Sequence, residues 1–324
     1  MRLGWCPLWI LTTLGLAAAQ PPEELPTIRV DVQVVNILCS VRDGKGRLVP
    51  DLAKEDFLVT EEGKPQEIRY FSRQTDLPLT IGLLIDVSGS QKNLLETEKR
   101  TADQFFAKVL QKKDLAFLIS FGPDAELVQD STNSIPLLRR ALESLRIRQD
   151  FSGVYPGPVP TATHPRGTVL FDAVYLASVE KLRHEVGRKA IIVITDGVDI
   201  GSRVKLTEAI AEAQKADAII YSIHYVDPRA YGFPAYGVAA GESDLKRMSE
   251  ETGGRLFRVD RKYTLDRIFS EIQEEMRSQY ALGYVPAEPP APGTYRRLEV
   301  RVRQKGMKVQ ARKGYYAASP AATP

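Results

Sequence analysis

The chain has 324 residues, of which 43% are hydrophobic and 26% charged. That is enough apolar material for one large or two moderate cores, and it is not the composition of a disordered polymer. A formal net charge of +3, spread along the chain, gives little long-range attraction for nucleic acid or an anionic membrane, so neither is implied as a partner.

At the start, Arg2 precedes an apolar run from Trp5 that closes on Ala17, Ala18 and Ala19, the small residues a signal peptidase requires. Residues 1–19 read as a cleaved export signal, which makes the product periplasmic or secreted. The run holds two Thr, a Pro and a Gly and falls short of a bilayer span. No later stretch is long and apolar enough to cross, so no transmembrane segment is expected after cleavage. Cys6 lies inside the run, badly placed for lipid attachment. Cys39 is then the only cysteine left, which excludes an internal disulfide. It shares an alternating face with Val35, Ile37 and Val41 and reads as a buried small hydrophobe.

Residues 20–76 have β texture. Thr27–Val41 alternates with a one-residue shift near Val34, which predicts a strand with a bulge. Turns at 43–46 and 61–64 flank Phe57–Thr60, and a further strand runs through Tyr70. From Leu77 the texture changes. LPLTIGLLID and KAIIVITD are near-continuous apolar runs, as in strands buried on both faces of a parallel sheet. Helical stretches fall at 93–111, 134–146, 168–186, 204–215, 241–252 and 264–279. In the last, Leu265, Ile268, Phe269, Ile272 and Met276 form one stripe. Further strands fit at 114–121, 124–129, 217–226 and 255–259. The alternation predicts an α/β fold, a doubly wound and mostly parallel sheet over 77–279.

β texture returns over 280–318, ahead of a short tail at 319–324. Leu298, Val300 and Val302 alternate with Glu299, Arg301 and Arg303. After Lys305-Gly306, Met307, Val309 and Ala311 alternate with Lys308, Gln310 and Arg312. This predicts a hairpin whose basic residues lie on a solvated face. Neither flank is long enough to be a confident core alone, so the two are expected to pair as a small β-sandwich with the α/β domain inserted between them.

The first long apolar run ends in Asp86-Val87-Ser88-Gly89-Ser90 and the second in Asp196-Gly197. In a doubly wound sheet, ligands bind beyond the carboxyl ends of the strands, where the strand order reverses. If the two strands are neighbours there, their carboxylates converge, and an unrelieved pair of like charges is strongly unfavourable. A divalent cation relieves it. Asp86, Asp196, Ser88 and Ser90 offer only oxygen donors, which select Mg²⁺, Mn²⁺ or Ca²⁺, with compact side chains favouring octahedral Mg²⁺. Gly167-Thr168, at a helix start, places a third hydroxyl where it can approach the same centre. Asp-x-Ser-x-Ser alone is a weak signal, because Asp and Ser are also common caps and turn formers; the strand context, Thr168 and Asp196 give it weight. Asp172 and Asp199 are assigned to a helix surface and a loop.

Asp-x-Ser-x-Ser, Gly-Thr-x-Leu-Phe-Asp-Ala and Val-Ile-Thr-Asp-Gly resemble the metal-ion-dependent adhesion site (MIDAS) of von Willebrand factor A (VWA) domains over about 77–279. The flanking D-G-x-G-x-L-V-x-D-L…D-F-x-V-x-E-x-G and L-G-Y-V-P…R-x-G-Y-Y segments are similar to a bacterial group of VWFA-related exported proteins. The resemblance implies reversible capture of a protein partner whose Asp or Glu carboxylate fills an open metal position. It also implies direct coordination by Ser88, Ser90 and Thr168, with Asp86 and Asp196 bound directly or through water.

Two other readings compete: a structural envelope protein in which the cation is a staple, and a metal-dependent hydrolase. A haloacid-dehalogenase-like phosphatase would want a carboxylate where Ser88 stands, and neither GxxxxGK[ST] nor GxSxG is present. Ser178-Val179-Glu180-Lys181 matches SxxK only formally, inside a helical stretch. His164, His184 and His224 lack metal-ligand spacing. The chain is therefore not expected to be an enzyme. The Pro-rich loop over 150–166 and the aromatic, glycine-rich stretch 228–241 are candidate contact surfaces at the binding edge.

Overall fold

The computed structural model describes residues 34–73, 77–148, 167–230 and 236–317. The signal segment, the opening strand up to residue 33, the 150–166 loop with His164, Tyr231 and Phe233, and the 319–324 tail lie outside the described residues.

The alternating face around Cys39 builds β1 (Val35–Arg42), with Val35, Ile37, Cys39 and Val41 all buried. Burial pushes the Cys39 thiol far up, so it is packing and not a nucleophile. β2 (Phe57–Glu61) turns through Glu62-Gly63, both with positive φ, into β3 (Lys64–Gln66), and β4 (Tyr70–Arg73) follows.

In the middle of the chain, the two apolar runs become the central strands. β5 (Leu79–Asp86) leads to α1 (Leu95–Val109), β6 (Leu115–Phe121), β7 (Ala125–Thr132) and α2 (Ile135–Ser144). α3 (Leu170–Leu176) continues as a wider π turn, Ala177–Leu182, ahead of β8 (Arg188–Thr195). Then come α4 (Leu206–Lys215), β9 (Ala218–His224), α5 (Tyr236–Thr252), β10 (Leu256–Arg258) and α6 (Leu265–Arg277). The stripe read on the last helix is buried along its length. α5 begins earlier than the periodicity predicts, so residues 236–241, read as part of a loop, are helical.

The sheet order is β10-β9-β8-β5-β6-β7, parallel throughout except for β7, which runs antiparallel to β6. Every residue of β5 and β8 is buried, because both faces are covered. Leu83 and Ile85 pack on one face with Phe105 of α1, Leu142 of α2 and Phe269 of α6. Leu84, Ile191 and Val193 pack on the other with Val174 of α3, Ile210 of α4 and Met248 of α5. The chain leaves β5 for one face and β8 for the other, which opens a crevice between two adjacent strand ends.

The flanks pair with each other. β11 (Tyr280–Tyr284), β12 (Tyr295–Val302), β13 (Lys308–Ala311) and β14 (Gly314–Tyr316) complete two antiparallel sheets, β13-β1-β11-β4 and β14-β12-β2-β3. Ile37, Val41, Phe57, Val59, Leu282, Tyr284 and Leu298 form the core between them.

The expected hairpin over 298–311 does not form. β12 pairs with β2 and β14, whereas β13 crosses to the other sheet and pairs with β1, placing Val309 opposite Val41. The apolar faces of β12 and β13 point at one core from opposite sides, which a hairpin would prevent. The solvated face also holds for β12 only. Gln310 bonds Glu275 and the Gly253 carbonyl, and Arg312 pairs with Asp217, so this side of β13 docks on the α/β domain.

Glu275, 1% exposed, anchors that joint: it accepts from Arg42 at 2.7 Å and Gln310 at 3.1 Å and pairs with Arg255 at 3.2 Å. Removing one member of a buried ion pair leaves the others uncompensated. Glu275→Ala is expected to cost about 3 kcal/mol in urea denaturation. A loss below about 1 kcal/mol would show that the joint does not depend on it.

Candidate metal centre

Ile85 of β5 lies opposite Ile194 of β8, so Asp86 and the Thr195-Asp196 pair leave the sheet side by side. Asp86 is fully buried. Its Oδ1 accepts the Ser88 N–H at 2.8 Å, bending the chain back over the strand end, and its Oδ2 accepts from the Thr195 hydroxyl at 2.6 Å. The bend opens a short 3-10 turn, Gly89–Gln91, which presents Ser88 and Ser90 on one side with their hydroxyls 3.0 Å apart. Ser90 donates to Asp196 Oδ2 at 2.5 Å, and Gln91 Nε2 reaches the same oxygen at 3.1 Å. The other Asp196 oxygen accepts the Val198 N–H at 3.1 Å.

Thr168, 8% exposed, is held through its backbone. Its carbonyl accepts the Ile200 N–H at 2.8 Å, Gly167 donates to the Ile200 carbonyl at 2.9 Å, and Val169 donates to the carbonyl of Gly122, just past β6. A Cβ on Gly167 would lie 2.5 Å from that of Ile200, so only glycine permits this approach. Gly197, at φ +83°, lets the other loop lie against the Gly241 backbone, 2.7 Å from where its own Cβ would stand. Side-chain hydrogen bonds therefore join Ser88, Ser90 and Asp196 and tie Asp86 to the neighbouring strand end, while backbone bonds fasten Thr168 and its neighbours to the loops that follow β6 and β8.

Asp172 and Asp199 stand beside the centre as fasteners. Asp172 accepts the N–H groups of Arg203 and Val204, and Asp199 accepts from Phe171 N–H and Ser202 Oγ, which locks the loop after β8 onto the start of α3.

Sequence reasoning missed several supporting residues. Thr195 and Gln91 are each one residue from a motif position, yet only the fold shows that they bridge to Asp86 and Asp196. His224 lacks metal-ligand spacing in the sequence, but its ring Nε2 lies 3.0 Å from the Asp196 carbonyl. Burial lowers its pKa, so the imidazole is neutral at pH 7. Glu98 had a legible signal: it is a charge at a core-facing position of α1, three residues after buried Leu95.

Burial, and next the charge of Asp196, push the Asp86 carboxyl up to about 7, against the pull of its bonds from Ser88 and Thr195. Asp86 makes no ion pair with a lysine or arginine among the described residues. Two carboxylates and three hydroxyls, all oxygen, with one carboxylate dry and opposed by the other, fit a hard divalent cation. Among the described residues, no group of three or more His, Cys, Asp or Glu side chains is arranged as metal ligands.

No protein-family model matches the chain, nor does any curated protein. Among solved structures it is similar to the conserved hypothetical protein BatB from Bacteroides thetaiotaomicron, at 20% identity over 61% of this chain and 97% of that one, TM-score 0.46. It is similar to a von Willebrand factor type A protein from Catenulispora acidiphila, at 12% identity over 90% of this chain and 75% of that one, TM-score 0.47. Proximal thread matrix protein 1 of the mussel byssus, described with a zinc-occupied MIDAS motif, aligns at 14% identity over 68% of this chain and 50% of that one, TM-score 0.49. The inserted domain has a von Willebrand factor A-like fold. In this VWA-like domain, the six-strand order with its single antiparallel edge strand puts the oxygen set at the switch point.

Because Asp86 is harder to ionise when folded than when unfolded, metal-free protein loses stability as pH rises from 3.8 towards about 7. Asp86→Asn, which cannot ionise, should gain in thermal midpoint over wild type across that window in chelator. A wild-type advantage that grows with pH in chelator would contradict this electrostatic account.

Proposed function

We propose that the VWA-like domain holds one divalent cation, Mg²⁺ before Mn²⁺ or Ca²⁺, at Asp86, Ser88, Ser90, Thr168 and Asp196, and uses it to capture a protein partner through an Asp or Glu carboxylate. One observation carries the reading: the continuous Ser88–Ser90–Asp196 hydrogen-bonded chain beside the dry, bridged Asp86 carboxylate, at the crevice where the strand order reverses. The contact layer contains two formal negative charges against a charge of +2, and its other donors are neutral hydroxyls. The cation therefore keeps its attraction for one more anionic oxygen.

The reading is of binding: the buried groups around the centre, Thr195, Gln91 and His224, hold its backbone and carboxylates. An exported setting follows from the signal-like first nineteen residues. No helix among the described residues is long and apolar enough to cross a membrane.

Two measurements test this. Mg²⁺ should raise the thermal midpoint of the full chain, by about 2.7 kcal/mol of stabilisation at a hundredfold excess over Kd, and Asp86→Ala or Ser90→Ala should abolish the rise. In pull-downs from envelope extract, a protein partner should be retained with Mg²⁺ and lost with chelator or Asp86→Ala. Equal recovery under all three conditions would leave the fold and sink the capture mechanism. Release of inorganic phosphate from phosphate esters, abolished by Asp86→Ala, would establish hydrolysis instead.

A further inference from the structure

Asp196 follows one end of β8, and a cavity of about 300 Å³ lies at the other. It is bordered by Lys189, the turn at 185–187, the start of β9 and, from the sandwich, Leu38 of β1 and Arg312. Lys189 sits in register with Ala218 of β9, and by alternation it shares its face of the sheet with Ile191 and Val193, both core residues. It is 9% exposed. Of the four charged groups on the cavity wall, Arg312 and Asp217 pair with each other at 2.5 Å. Lys189 and Glu185 make no ion pair or side-chain hydrogen bond among the described residues, with each other or with any other group.

The turn that joins them is fixed. Gly187, at φ +96°, lies so close to Pro78 that a Cβ there would stand 2.5 Å from the Pro78 carbonyl oxygen, and the Arg188 N–H donates to that oxygen at 2.9 Å. A lysine that needed only water would extend its stem to the surface, and a core position that needed only shape would hold leucine or methionine. A buried amine without an acceptor carries a desolvation cost that nothing offsets. Burial accordingly lowers the Lys189 pKa from 10.5, against the opposing pull of Asp217 and Glu185. In either protonation state the amine has N–H bonds to give. Glu185, half-buried, has carboxylate oxygens to accept, and Leu38, Val186 and Ile219 add apolar wall.

We infer that this cavity is a second binding site, for a small zwitterion of the amino-acid class with an apolar side chain. Its carboxylate accepts from Lys189, its ammonium donates to Glu185, and its side chain lies against Leu38, Val186 and Ile219. The volume is at the lower end of the range for small-molecule sites. The inference is independent of the cation reading. A ligand here touches the α/β domain and β1 together, so its occupancy braces the joint between them.

The test titrates L-leucine calorimetrically into the full chain in chelator, beside two molecules that each carry half of its charge: 4-methylpentanoate, without the ammonium, and 3-methylbutylamine, without the carboxylate. L-leucine is expected to bind and to raise the thermal midpoint, and each half-molecule to bind at least about tenfold more weakly. Lys189→Met and Glu185→Gln should each weaken L-leucine about tenfold or more. The unliganded midpoint of Lys189→Met should equal or exceed that of wild type, because an unpaired buried amine has gone. No binding of L-leucine by wild type overturns the inference. So does equal affinity for L-leucine and 4-methylpentanoate, which would leave Glu185 without a role, and so does unchanged L-leucine affinity in both variants. A fall in unliganded midpoint in both variants would show that the two side chains serve the fold, and overturns it as well.

Discussion

Two parallel strands paired in register end in carboxylates one residue apart, in a place nearly free of water. That opposition shapes everything around it. Asp86 and Asp196 cannot separate, because β5 and β8 are fixed along their whole length by buried Ile, Leu and Val on both faces. Nor can either be solvated in the ordinary way. Charge repulsion is therefore built into the end of the sheet, and nearby groups moderate it with hydrogen bonds: Thr195 to Asp86, Ser90 and Gln91 to Asp196, and the N–H groups of Ser88 and Val198. These bonds are individually modest. Together they hold the oxygens in a geometry that a cation can complete.

Much of this was legible in the sequence. The apolar runs ending in Asp86 and Asp196 predict buried parallel strands with acids at their carboxyl ends, and the five-residue oxygen set follows from that placement together with Thr168 at a helix start. Less legible were residues whose roles depend on which loops meet. Thr195 looks like one more strand residue until β8 is set beside β5. His224 gains its role only because β9 lies next to β8 and brings the ring to the Asp196 carbonyl.

The sandwich shows where periodicity stops. Alternation over 298–311 gives the correct faces and the wrong partners, because a period of two cannot say whether consecutive strands share a sheet or face each other across a core. The choice was made by strands far away in the chain: β2 takes β12 and β1 takes β13. The basic side chains that alternation assigns to solvent then divide, with those of β12 remaining outside and Arg312 reaching Asp217 of the α/β domain.

Tyr280 lies opposite Arg73, so the inserted domain is entered and left through two adjacent antiparallel strands. Each sheet of the sandwich needs strands from both ends of the chain, and none of these pairings is possible until the intervening residues have been drawn into a short span. Loop-closure entropy grows with the length of unstructured chain, and folding of the α/β unit removes most of that length at once. The connectivity favours one order of events, in which the parallel sheet delivers its two ends side by side and the sandwich then closes on a template already made. In that order, the strand ends that carry Asp86 and Asp196 meet while the flanking strands are still open.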